Sequence, residues 1–462
     1  MADLSAARTL VVDNAIVRHY AVLQGLLRAQ VGDRDGAKHF CPGWELPPLS
    51  AEMVDFFSPS SMAVHHLHGP GTQKLRRHAG HRLALLDMMR NPATRTTKSL
   101  ASLLMVARAV QYVRRSGRRV MLLTPSSGNK ATALRDAVLR AIDLELVAAD
   151  RLHITSLIPV GSAGKVWSSR LSTDSDLRKR NPVVLYPGRE PSDVRDVCRQ
   201  VHALIAAELR DGAQVDVWYT TDVDNYRSAD ALRAMVEYEV HPPPSDRGRL
   251  HIQAVSSAYG LLGHQLGYQS RTHPGHGRAP RYFLVQQLGA PDMVLDLLRG
   301  SAAEEVLPSY GYDPGSGLYR QDTDPRFPAT AFDPAERVDA TFYARRPPTA
   351  AAMTEVIRRQ GGGGIVVSLH ECMIRYGQVR DLLAPAIELP SDPRDLREWA
   401  LVMVMTGLLN ALDRGLITDD DVLVHGTGCY SADDFRPITG LAPCSQPEEL
   451  RRLIIDAALP SS

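Results

Sequence analysis

Two short stretches of this chain carry residue types able to do covalent chemistry on a small anionic substrate. The first is Asn91-Pro-Ala-Thr-Arg-Thr-Thr-Lys98, directly before an apolar helical spacing at Leu100, Leu103, Leu104, Ala107 and Val110. A lysine opening a helix lies at the positive pole of that helix, which disfavours the ammonium. A depressed pKa then favours the neutral amine that attacks a carbonyl and forms a Schiff base. Taken alone, an exposed lysine with Thr96 or Thr97 as helix cap is the simpler reading. The second stretch is Thr124-Pro-Ser-Ser-Gly-Asn129. Ser126, Ser127 and Asn129 offer hydroxyls and an amide, Gly128 permits a tight turn, and the following helix offers free N–H groups suited to an anion. The plain alternative is a turn whose serines and asparagine only cap that helix.

The elements that must position these residues alternate regularly. Val120-Met-Leu-Leu123 is an apolar run ended by Thr124-Pro125, which reads as a buried strand. The spacing predicts helices over about 99–115 and 131–141. Further strands are expected at 152–158, 183–186, 215–219, 250–255, 282–286, 364–367 and 422–425, and further helices at 369–383 and 396–414. Such alternation implies an α/β protein built on parallel sheets with helices on both faces, where ligand sites fall at the carboxyl ends of strands. His241-Pro-Pro-Pro-Ser-Asp-Arg-Gly248 cannot continue a helix and reads as a junction between lobes. Residues 301–350 are rich in Pro, Gly and Asp and are expected to be an irregular insertion, a lid or an oligomer contact.

In this order and at this separation, the two motifs resemble those of the fold-type II pyridoxal 5'-phosphate (PLP) enzymes: cysteine synthase, threonine synthase, serine/threonine dehydratase and the tryptophan synthase β subunit. That resemblance implies that Lys98 carries PLP as a Schiff base and acts as the base for the α-proton. It implies that Asn129 binds the 3'-oxygen of the cofactor and that Ser126, Ser127 and Gly128 receive the substrate carboxylate. Lys130, where the family has a small residue or Thr, is suited to bind a carboxylate or phosphate and is the second candidate for the Schiff base. Further along, Thr221-Asp-Val-Asp-Asn225 is similar to the family segment returning from the small domain. Ser256-Ser257-Ala258-Tyr259-Gly260 stands where the family has its phosphate cup, with one glycine in place of several. Thr427, with Ser431 and Cys429 behind it, stands where a hydroxyl faces the pyridine nitrogen. A neutral hydroxyl there does not enforce ring protonation, which suits α-proton abstraction followed by loss of a β-substituent. The likeness spans roughly residues 80 to 430. The lysine motif has one extra residue after Pro92, and Ser99-Leu100 replaces its usual Asp-Arg.

The implied architecture is two-lobed, open twisted sheets with helices on both faces: a large cofactor lobe from 1–98 plus 226–462, and a small lobe over 99–225. The implied activity is β-elimination or β-replacement on an amino acid through an aminoacrylate, by a homodimer. The alternatives are a PLP enzyme with racemase or γ-substitution chemistry, and a non-catalytic scaffold or partner protein of the same fold.

Composition bounds the rest. Lys+Arg is 53 against Asp+Glu 52, a formal charge of +1, which argues against a nucleic-acid partner. The N-terminal MADLSAARTL lacks the pattern of a signal peptide, and no apolar run approaches the ~18 residues of a membrane span. Five cysteines without a CxxC pair fit a reduced compartment, so a cytoplasmic protein is expected. His65-His66-Leu67-His68 lacks the acidic or thiol partners of a metal centre, and no metal is expected there. Lys74-Leu-Arg-Arg-His78 reads as a solvated or intersubunit face, and Gly361–Gly364 lacks dinucleotide-binding spacing.

Overall fold

The computed structural model describes residues 9–32, 41–67, 82–188, 193–244, 248–270, 278–300, 307–341, 347–441 and 443–459. Two main sheets contain eleven strands: β1 (Thr9–Val12), β2 (Met62–His66), β3 (Arg82–Asp87), β4 (Arg119–Pro125), β5 (Leu152–Pro159), β6 (Val183–Tyr186), β7 (Val215–Tyr219), β8 (Leu250–Ala254), β9 (Arg281–Gln287), β10 (Gly362–Val367) and β11 (Asp421–Gly426). The helices that matter for the site are α1 (Lys98–Ser116), α2 (Asn129–Asp143), α3 (Asp193–Ala213), α4 (Leu232–Val240), α5 (Tyr259–Gln269), α6 (Leu369–Leu383), α7 (Ala400–Asp413) and α8 (Pro447–Ala458). The expected α/β class is what the structure has.

The chain forms two compact units. The first comprises the described residues of Met1–Val12, Ser61–Arg90 and Asp230–Ala432. Its seven-stranded sheet runs β1-β2-β3-β11-β8-β9-β10. From β3 to β10 neighbouring strands are parallel. The β1–β2 and β2–β3 pairs are antiparallel, so the sheet is mixed rather than purely parallel. Leu85, Ile252, Val285 and Val424 pack on one face against α6 and α7, while Leu284 and Val366 pack on the other against Leu261 of α5 and Met293. From Ala400 to Leu412, α7 is buried on every side, which is why its sequence is apolar all round rather than striped.

The second unit comprises Asp13–Ser60, Asn91–Ala229 and Asp433–Ser462 in their described residues. Its parallel sheet runs β6-β5-β4-β7. One face carries Met121, Leu123, Val217 and Tyr219 against Val201 and Ile205 of α3 and Leu450 and Ile454 of α8. On the other, Trp218 meets Tyr112 of α1 edge-on, with ring centroids 5.5 Å apart. The small lobe expected over 99–225 lies wholly inside this unit. The unit extends beyond that lobe at 13–60, 91–98, 226–229 and 433–462; the last joins it because the amphipathic α8 buries its apolar stripe on α3.

Two expectations on irregular stretches need correction. The 301–350 stretch holds a small antiparallel sheet of Gly311–Asp313, Leu318–Arg320 and Thr330–Ala331, with Phe327 fully buried; 301–306 and 342–346 lie outside the described residues. The helix expected from 396 begins at 400, since Leu396–Glu398 pairs as a strand with Tyr430–Ser431. No helix among the described residues is long and apolar enough to cross a membrane.

Candidate functional site

The segment before Lys98 is a hydrogen-bonded knot. Asn91 accepts from the Ala93 N–H at 3.0 Å through Oδ1, and donates from Nδ2 to Ser99 Oγ at 3.2 Å and Asp136 Oδ2 at 3.0 Å. Thr94 Oγ1 meets Ser99 Oγ at 2.6 Å, and Ser99 donates to the Thr96 carbonyl at 3.1 Å. Burial raises the Asp136 carboxyl above its usual range, opposed by the Asn91 hydrogen bond and the Arg140 charge. This knot fixes Lys98, half-buried, as the first residue of α1, a helix with no acidic residue in its first turn. Asn91 and Ser99 are therefore spent on structure, fixing the start of the helix that Lys98 opens.

The second motif follows β4 directly. Ser126 is buried, and its Oγ accepts from the N–H groups of Gly128 at 3.1 Å and Ala131 at 2.9 Å. That is the capping role open to it from the sequence, and it leaves the hydroxyl with one proton to donate. Gly128 has φ +126°, and a Cβ there would lie 2.7 Å from Lys165 Cβ, so only glycine fits. Ser127, Asn129 and Lys130 are half-buried, with Asn129 opening α2. Lys130 keeps some exposed area but is packed deeply among protein atoms. Burial first, then the charges of Arg195 and Lys98, bring its amine down to about 7.

Three adjacent strands of this unit carry a buried hydroxyl in or just beyond their carboxyl-terminal halves. Thr124 pairs with Ser156 across β4 and β5. Thr220 follows Tyr219, the partner of Leu123, and donates its N–H to the Leu123 carbonyl at 3.1 Å. All three lie on the face opposite α3 and α8. Among the described residues their Oγ atoms, and that of Ser102 one turn beyond Lys98 in α1, have no hydrogen-bond partner. Orphaned hydroxyls at the carboxyl ends of parallel strands fit a unit that takes a polar ligand. Asp222 and Asn225, in the stretch that resembles a returning family segment, hold the buried Arg108: Nη1 donates to Asp222 Oδ2 at 3.2 Å and Asn225 Oδ1 at 2.8 Å.

In the first unit, β8 leads into a short loop and then α5. Ser256 and Ser257 are half-buried, Ala258 is buried with φ +49°, and Tyr259 and Gly260 are the first two residues of the helix, both half-buried. A Cβ on Gly260 would lie 2.5 Å from Arg233 Cζ and Nη2, so the single glycine of this loop is required by a guanidinium packed against it. Thr427 follows β11, the neighbour of β8. The pair His425–Gln253 is the last in register, so Thr427 and Val255 each stand two residues beyond it. The structure thus brings the loop and Thr427 to the same edge of one sheet. Cys429 and Ser431 are half-buried nearby in sequence, and Cys429 is in no disulfide.

A family model described as a family of unknown function (DUF6002) matches residues 11–458. The chain belongs to DUF6002. No curated protein is similar to it. Among solved structures, this DUF6002 chain is similar to PLP-bound threonine synthase from Brucella melitensis, at 12% identity and TM-score 0.48, over 97% of this chain and 95% of that one. It is similar to L-serine ammonia-lyase from the fungus Rhizomucor miehei at 12% identity and TM-score 0.47, over 78% and 92%. It is similar to a pyridoxal 5'-phosphate-dependent aspartate racemase at 12% identity and TM-score 0.49, over 80% and 91%. At 12% identity and TM-scores below 0.5, these likenesses carry no argument about the DUF6002 chain.

Sequence reasoning missed the polar cluster behind the 256–260 loop: Arg233, Glu237, His251, His264 and His425, all buried. Its one local signal is Arg233 and Glu237, spaced four apart in the otherwise apolar Leu232–Val236 stretch. The histidines come from β8, α5 and β11 and share no spacing. The histidines that were singled out do other work. His65 bridges Thr9 at 3.0 Å and Asp87 at 3.3 Å, and His66 packs edge-on against His241. His68 and the basic run 74–78 lie outside the described residues.

Proposed function

We propose that this chain is a PLP-dependent enzyme acting on an amino acid by β-elimination or β-replacement. The observation that carries the reading is the pair of lysines opening α1 and just inside α2, one of them with its amine brought down to about 7. A neutral amine is the form that condenses with an aldehyde. When bound, the cofactor supplies an electron sink for the α-carbon of the amino acid.

The rest falls to the protein. Lys98 is the residue assigned to hold the cofactor and then to take the α-proton. Lys130 has an amine poised to hold or release a proton near neutral pH, and beside a carboxylate it is a cationic anchor when protonated. Ser127, Asn129 and the first N–H groups of α2 offer donors to an anion, with Gly128 keeping the approach open. The Ser256–Gly260 loop and the start of α5 are assigned the phosphate. Thr427 presents a neutral hydroxyl at the same sheet edge. Elimination removes the α-proton and the β-substituent, and water then yields a keto acid and ammonia.

The low pKa favours a second assignment, in which Lys130 holds the cofactor and Lys98 moves the proton. Borohydride reduction of the PLP-loaded protein followed by peptide mapping separates the two: the label on the Lys98 peptide supports the first, the label on Lys130 the second. A protein that takes up no PLP at micromolar concentration is a scaffold and ends both.

A further inference from the structure

Behind the 256–260 loop runs a polar chain that the proposed chemistry does not use. Arg233 is 3% exposed and donates from Nε to Asp230 Oδ1 at 2.7 Å. Its Nη1 lies 3.3 Å from His425 Nδ1. His425 Nε2 lies 3.1 Å from His251 Nδ1, and His251 Nε2 lies 3.7 Å from Glu237 Oε1. Arginine has only donors, so His425 Nδ1 accepts and the His425 proton sits on Nε2. That proton is given to His251 Nδ1, which puts the His251 proton on Nε2, facing Glu237. The hydrogen bonds run one way, from the guanidinium through His425 to His251, with one tautomer at each ring and the Glu237 carboxylate facing the end of the chain. Burial holds both rings neutral, pushing their pKa values well below the usual histidine range.

This direction argues against another use of the cluster. His251, His264 and His425 bring possible metal-ligand atoms within 4.8 Å of one another. A metal needs a lone pair from each imidazole. The His425 lone pair faces a guanidinium, and reversing that ring would set donor against donor. His264 is likewise engaged on both sides, by Glu237 at 2.7 Å and the Tyr282 hydroxyl at 2.8 Å.

What the chain achieves is a guanidinium held against the first turn of α5, in a place only a glycine leaves open. A second observation points to a ligand at this end of the sheet. Gln253 lies on the same face of β8 as His251, one strand repeat nearer the loop, and its buried Nε2 has no hydrogen-bond partner among the described residues.

We propose that Arg233 is the anchor for a phosphate-type anion at the amino end of α5, joined by Gln253, and that His425, His251 and Glu237 are positioning residues that orient its guanidinium. The assignment rests on reading 256–260 as the phosphate loop, and it replaces missing loop glycines with a buried cation.

The test uses inorganic phosphate as probe on the full chain, by calorimetry, beside PLP and pyridoxal. Wild type is expected to bind phosphate and to prefer PLP over pyridoxal. Arg233→Gln is expected to lose about ten-fold or more in phosphate affinity and most of that preference. Gly260→Ala keeps the buried ion pairs while driving a methyl into the guanidinium, and is expected to lose as much, so the test survives if Arg233→Gln fails to fold. His425→Gln is expected to weaken phosphate binding less and to change its pH profile, which a merely structural residue would not do. No phosphate binding by wild type, or unchanged binding in both Arg233→Gln and Gly260→Ala, overturns the proposal. Phosphate binding that depends on Arg233 in a protein forming no PLP adduct supports this inference and sinks the cofactor reading.

Discussion

Asn91 donates to Ser99 across 3.2 Å and to Asp136 across 3.0 Å, tying the segment before Lys98 to the first turn of the helix that Lys98 opens. The lysine is therefore placed by a buried side-chain network rather than by a flexible loop. Asn91→Ala leaves the half-buried Asp136 without this donor and is expected to cost about 1–2 kcal/mol. Denaturant melts measure the loss, and a change below about 0.5 kcal/mol contradicts the role given to the knot.

Lys130 makes stability depend on pH in a defined direction. Its folded pKa lies near 7, below the ordinary 10.5, so between those values the unfolded chain binds the extra proton. Stability from this group therefore rises as pH increases from about 7 toward 10.5, with a slope of up to about 1.4 kcal/mol per pH unit. Lys130→Met is expected to flatten that slope. Parallel melts of wild type and variant across this range check it, and identical slopes refute the assignment.

His251 and His425 act on the acid side. Their folded pKa values lie well below the ordinary 6.5, so the unfolded rings take up protons first as pH falls. Stability is expected to drop below pH 6.5, by up to about 1.4 kcal/mol per pH unit for each ring. Glu237 adds to this at lower pH. Burial raises its carboxyl, but the His264 hydrogen bond and the Arg249 charge outweigh that and hold it down to about 2. The stabilisation it gives is present above its ordinary 4.5 and lost as pH falls toward 2. Acid titration followed by tryptophan fluorescence, compared with His425→Gln, shows whether the slope resides here.

The row Ser156–Thr124–Thr220 gives a prediction of the opposite sign. A buried hydroxyl without a partner destabilises, so Thr124→Val is expected to be neutral or stabilising by about 1 kcal/mol in the free protein. Substrate binding is expected to weaken, read as a raised KM. A loss of stability above about 1 kcal/mol means the hydroxyl is satisfied in the folded protein and removes the row from the site.

Much of this was legible in the sequence where one element carries its own pattern. The strands at 183–186 and 215–219 and the helix at 369–383 form where the apolar runs and periodicity placed them. Lys98 and Asn129 each open a helix, as the boundary residues implied. The antiparallel β1 and β2 were not read, because a short run such as Met62–His66 mixes buried polar and apolar residues at a sheet edge. The cluster behind Gly260 was invisible for a different reason. His251, His264 and His425 meet only once β8, α5 and β11 are side by side, and no local spacing encodes that. The lone glycine at 260 looked like decay of a phosphate cup, whereas the structure shows it clearing room for Arg233.

We propose that a lysine of this chain binds PLP covalently. The most direct test is the mass-spectrometric map of peptides from protein incubated with PLP and reduced with borohydride. The expected result is one reduced phosphopyridoxyl group per chain on the peptide containing Lys98, abolished in Lys98→Ala. Labelling scattered over surface lysines, or none on Lys98 or Lys130, contradicts it.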